Sequence, residues 1–138
     1  MFSNTCYNTG LGSYQKWYIG HDVRDILLAD ADIYAIVGEK VFPCVAPEDT
    51  KGEFIIYQRE KYSKETVKQG VYSDECKLAI TAVADDYDMA LNMAALLDNV
   101  LTGKHTNKEG KQFTMILADS SEGFQENKFI ETLLFNIE

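Results

Sequence analysis

The sequence predicts an α+β fold: an antiparallel or mixed sheet of four to five strands packed on one long helix and two short N-terminal helices. Three observations carry this. Residues 76–103, CKLAITAVADDYDMALNMAALLDNVLTG, change period within one stretch. Up to Ala84 apolar and polar positions alternate as in a half-buried strand, and beyond it they recur as on a helix. Further strand patterns lie on both sides of this stretch, and no second long helix does. Finally, a chain of 138 residues with 46% hydrophobic and 25% charged residues is sized for one core that buries about two-thirds of the unfolded surface.

Residues 1–20, MFSNTCYNTGLGSYQKWYIG, form an N-terminal arm, polar and glycine-punctuated yet carrying Phe2, Tyr7, Tyr14, Trp17 and Tyr18. Its aromatic rings dock either on the domain or on a neighbour. The domain proper covers residues 21–138. Val23, Ile26 and Leu27 have helical spacing from Asp22 onward, but a continuous helix would set Asp30 in the middle of its apolar stripe. The chain is therefore expected to break there, with Asp30 capping a second short helix, residues 31–37, that stops at Gly38. Val41 and Phe42 start a short strand ended by Pro43, and residues 47–52 are a loop.

Phe54–Tyr62 and Val71–Ala84 read as antiparallel partners joined by a charged connection, residues 63–70. A helix of about 17 residues spans roughly 25 Å, whereas a strand of about 14 spans roughly 46 Å. The hairpin, at about residues 57–72, is therefore expected to project beyond the core, where a two-stranded arm needs something packed on it. The helix itself has Asp85, Asp86 and Asp88 at its positive end and Gly103 as a left-handed stop. One apolar face holds Leu97, Ala90, Leu101, Ala94, Tyr87 and Leu91, and a second beside it holds Met89, Met93, Leu96 and Val100. The combined arc exceeds the stripe of about 100° that one sheet requires. The second face must meet either the short helices of residues 22–37 or another subunit. Past a polar loop at residues 104–110, Phe113, Met115 and Leu117 mark a strand. Residues 120–127 turn the chain, and Lys128–Glu138 closes it. Ile130, Leu134, Ala79 and Val83 make the outer sheet face more apolar than a solvated sheet requires, so the arm or a partner is expected to cover part of it.

The net charge of −9 and pI near 4.6 repel phosphate and disfavour binding to nucleic acid or anionic membranes. Cys6, Cys44 and Cys76 are odd in number with no CxxC spacing, which reads as reduced thiols in a cytosolic setting. No segment reads as a signal peptide or a membrane span. Asp85, Asp86 and Asp88 could present oxygens to Mg²⁺ or Ca²⁺, but a helix N-terminus accounts for all three without a metal. His21 and His105 have no partner at the spacing a general base or zinc site needs. Lys61, Lys64, Lys68, Lys77 and Arg59 lie among Tyr57, Tyr62 and Tyr72, but Glu60, Glu65, Asp74 and Glu75 dilute this as a nucleic-acid patch. No catalytic or metal residues and no cofactor are assigned.

Three stretches taken together resemble the phage tail completion, tail terminator or tail-to-head joining proteins. They are ILLADADIYAIVGEKVFPCVAP at residues 26–47, FIIYQ at 54–58 followed by the strand and helix from Cys76, and the closing FIETLLFNIE. The resemblance spans residues 22–138. It departs at Glu53, where the family often has Pro, and in the extension of residues 1–20. It implies a non-enzymatic virion or prophage assembly protein, made in a bacterial cytoplasm and placed at the head-tail junction. Its subunits would form a homo-oligomeric ring, commonly a hexamer, between the tail-tube protein and a head-side connector, with DNA passing through but not specifically bound. Subunit and partner contacts are then expected at Tyr57, Arg59, Tyr62 and Tyr72 on the hairpin, Met89, Met93, Leu96 and Val100 on the helix, and Trp17 on the arm. A small non-catalytic protein-binding regulatory module is the alternative.

Overall fold

The computed structural model describes residues 14–66 and 72–138, with all side chains except those of residues 66 and 72. The arm residues Phe2, Cys6 and Tyr7, the hairpin residues 67–71 and the Tyr72 side chain lie outside the described residues.

A turn at Lys16–Tyr18 leads into α1 (Ile19–Ala29) and α2 (Ala31–Val37); β1 (Val41–Pro43), β2 (Phe54–Thr66) and β3 (Tyr72–Ala84) follow. Then come α3 (Tyr87–Leu101), β4 (Gly103–Thr106), β5 (Gln112–Gln125) and β6 (Lys128–Ile137). One sheet takes all six strands in the order β1-β2-β3-β6-β5-β4. β1 runs parallel to β2, and every other pair is antiparallel.

The sheet is thus mixed, as expected, but has six strands rather than four to five. The added strand is β4, which pairs through Gly103↔Met115 and Thr106↔Gln112. Gly103 has φ of 121°, a conformation glycine alone takes easily. It opens this strand rather than closing the helix, since α3 ends through an extended Thr102. β5 also runs through the expected turn region. The reversal takes only Glu126 and Asn127, at φ 53° and 61°, the pair of positive values a tight hairpin turn demands.

The helices lie on one face of the sheet. α1 contributes Ile19, Val23 and Leu27 to the core, α2 contributes Ile33 and Val37, and α3 contributes Ala90, Met93, Leu97 and Leu101, each set at helical spacing. They meet Ile55, Leu78, Ile80, Met115 and Phe135 from the strands. Asp30 and Asp86 cap α2 and α3 by accepting from the amides of Ile33 and Met89, at 3.0 and 3.1 Å. Arg24 ties α1 to β1 through the Val41 carbonyl at 3.0 Å. Lys128 ties β6 to the loop and helix start beside it by donating to the Gly52 carbonyl and pairing with Asp85.

Candidate functional site

The structure sorts the expected contact residues into two groups. At the base of the β2–β3 hairpin, Trp17, Arg59 and Tyr62 come together. The Arg59 guanidinium lies 4.6 Å from the centre of the Trp17 ring and donates to the Trp17 carbonyl at 3.1 Å. Trp17 meets Tyr62 edge to face at 5.1 Å. Lys16 pairs with Asp74 on β3 at 2.7 Å, fastening the turn before α1 across the hairpin. Trp17 is nevertheless 56% exposed. The platform has an aromatic ring and a cation facing solvent, the composition that recurs at protein interfaces.

On α3, the second apolar face meets the protein's own short helices. Met93 is buried, and with Leu96 it lines the seam against Ile33, Ile36, Val37 and Ile55. Met89, Leu96 and Val100 are half-buried against the core. Tyr57 is likewise enclosed, at 7% exposure, and burial raises its pKa. Tyr57 and Met93 therefore serve the core of this chain. The large apolar side chains of α3 left exposed are Tyr87 and Leu91, at 40% and 39%.

A third cluster has no counterpart in the sequence reading. β5 and β6 set Glu122 directly opposite Glu131. Tyr87 on α3 donates its hydroxyl to Glu122 at 3.1 Å, and one carboxylate oxygen of Glu131 is buried without a partner. Burial and the adjacent Glu122 push the Glu131 pKa up to about 7. Phe124, 60% exposed, packs on Phe129 at 4.8 Å, and Phe129 on Tyr87 at 5.6 Å. No apolar period marks residues 119–127, and among their sequence signals are the anions Asp119, Glu122 and Glu126, with no cation from Gln112 to Asn127 except Lys111 just before it.

The residues weighed for chemistry have structural tasks. His105 contacts the Leu101 carbonyl at the end of α3 at 2.6 Å and stacks on Phe113. Cys76 is buried, which raises its thiol pKa. Tyr14 stacks on Phe113 and donates to Asp22 at 2.6 Å, burial raising its pKa. Among the described residues, no group of three or more His, Cys, Asp or Glu is placed to hold a metal ion. No helix among them is long and apolar enough to cross a membrane.

The architecture is that of an α+β domain with one mixed sheet covered by helices on a single face. A chain in a solved structure described as the virion of a native gene transfer agent particle has the same fold. The TM-score is 0.72 at 21% identity, over 86% of this chain and 92% of that one. No protein-family model matches the chain, and no curated protein does.

Proposed function

We propose that this chain is a structural subunit of a phage-like particle that completes the tail tube and joins it to the head-side connector as a ring, taken here as a hexamer. The reading rests on one observation: the likeness of fold to a chain of a gene transfer agent virion, which extends over nearly the whole of both chains. The exposed platform of Trp17 and Arg59 beside the half-buried Tyr62, at the root of a hairpin that runs past the core, supports it, because such a hairpin needs a neighbour to pack on. A net charge of −9 per copy suits a bore through which DNA passes by repulsion rather than adhesion. The protein acts without catalysis or cofactor in this role, and its partners are further copies, the tail-tube protein and the connector.

Electron microscopy of particles made without the gene tests the reading. Uncapped or overlong tubes and tail-less heads are expected, restored by the gene supplied separately. Normal particles in its absence would refute the assignment.

A further inference from the structure

Two short outer strands leave the sheet with two long open edges. β1 covers β2 only at Ile55–Tyr57, and β4 covers β5 only at Gln112–Met115. From Gln58 to Thr66, and from Ile116 to Gln125, no strand among the described residues pairs with the outward side. The edges differ in charge. The β2 edge carries Arg59, Lys61 and Lys64 against Glu60 and Glu65, whereas Asp119, Glu122 and Glu126 on and beside the β5 edge have no cation among them. Open edges of this length invite another strand.

We infer that the β2 edge of one copy pairs with the β5 edge of the next, head to tail, so that the sheet continues from subunit to subunit. This rests on the ring reading and supplies its joint. Strand direction permits it: β2, β3, β6 and β5 alternate, so a neighbour rotated about an axis along the strands lays its β2 antiparallel to β5. Register permits it too. Gln58, Ala79, Leu134 and Asp119 share one level across the sheet. Full overlap moves the neighbour's Gln58 from the level of Asp119 to that of Gln125, roughly 20 Å along the strands. At that stagger the neighbour's β1 falls beyond the turn at Glu126 and Asn127, and its β2 reaches Thr66 before the level of β4. The outer strands bound the joint instead of blocking it. A stagger between successive strands closes into a ring when the strands tilt against the axis, as in barrels.

Charge decides between this and a two-fold joint. Pairing β5 with β5 sets the three carboxylates against themselves, while head-to-tail pairing sets Glu122 between Arg59 and Lys64 on one face of the sheet. Among the described residues the Glu122 and Glu131 pair also has no ion-pair partner, and one Glu131 oxygen is unpartnered. Lys64 can reach it, since it lies on the same face of the sheet as Cys76 and α3, is exposed, and rests over the Tyr62 ring, a surface contact that holds weakly.

The test is a charge exchange. K61E/K64E and D119K/E122K, both at exposed positions except for the neighbouring Glu131, are each expected to melt like the wild type. Each is expected to associate at least about 100-fold more weakly, since like charges then face each other. Mixing the two restores the ring with the variants alternating, because each supplies the edge the other needs. S63C/S121C, a pair that shares the outer face and meets at this stagger once the bulge at Glu60 is counted, with Cys6 and Cys44 replaced by Ser, gives a ladder of cross-linked copies under oxidation. Unchanged assembly of either charge variant alone, or no ladder from wild-type-sized rings, overturns the edge pairing and leaves the ring intact. A wild-type chain that sediments as a monomer at millimolar concentration overturns both. Particles that form normally without the gene overturn the functional reading itself.

Discussion

At Gly20 an added Cβ would lie 2.8 Å from Cε2 of Tyr57, inside the distance real side chains keep. Tyr57 is enclosed in the core, so the ring has little room to yield. Gly20→Ala is expected to cost about 1 to 3 kcal/mol by overpacking, read from the denaturant midpoint; an unshifted midpoint would mean that Tyr57 moves freely. Asp86 is legible by sequence alone, because a carboxylate before an apolar periodic run caps a helix. Glu131 is not, since its neighbour Glu122 falls within residues 120–127, which the sequence marks as a turn although the reversal takes only Glu126 and Asn127. Its pKa of about 7 stands above the ordinary 4.5, so the folded state holds a proton that the unfolded chain releases. Its contribution to stability is greatest in acid, declines as pH rises from about 4.5, and reaches its full penalty above 7. The facing groups are Glu122 on β5 and, through it, Tyr87, with Asp88 nearby on α3. Glu131→Gln is expected to match the wild type at pH 4.5 and exceed it by about 1 kcal/mol above pH 7. A constant difference across that range, in melts at each pH, would show that the pair does not titrate there.

At the scale of elements, α3 shows where periodicity informs and where it stops. Spacing identifies its apolar arc, but only the packing of α2 shows that Met93 is consumed inside the chain. Charge at that position therefore acts on folding before it acts on assembly. Met93→Asp is expected to unfold the domain, and Leu97→Ala to cost about 2 to 5 kcal/mol, both measured by chemical denaturation. A folded Met93→Asp that merely fails to assemble would return that side chain to the interface. The strands divide along the same line. β3 and β6 each bury one face, so alternation reveals them. The outer part of β5, from Asp119 to Gln125, is exposed on both faces and composed of residues that usually turn. β4, Gly103–Thr106, has no apolar side chain to alternate and forms a strand because β5 offers it an edge. Tertiary pairing makes strands of both, and sequence pattern has no access to it.

For the whole molecule, assembly sets two electrostatic effects against each other. Each copy carries −9, so a ring gathers like charge, and that repulsion acts over distances longer than a Debye length. The proposed joint brings opposite charges into contact, where salt screens them less. The Debye length falls from about 30 Å at 0.01 M salt to about 10 Å at 0.1 M and about 3 Å at 1 M. Between the first two conditions the repulsion between copies fades while the contact pairs survive, and at 1 M the pairs weaken as well. Association is therefore expected to pass through a maximum near physiological ionic strength, measured by sedimentation across a salt series. The K61E/K64E variant has no favourable pairs to lose. Its weak association should only strengthen as salt rises. Were the wild type to strengthen steadily as well, the joint would be apolar in origin, and the exposed Phe124 and Trp17 would be the first residues to replace.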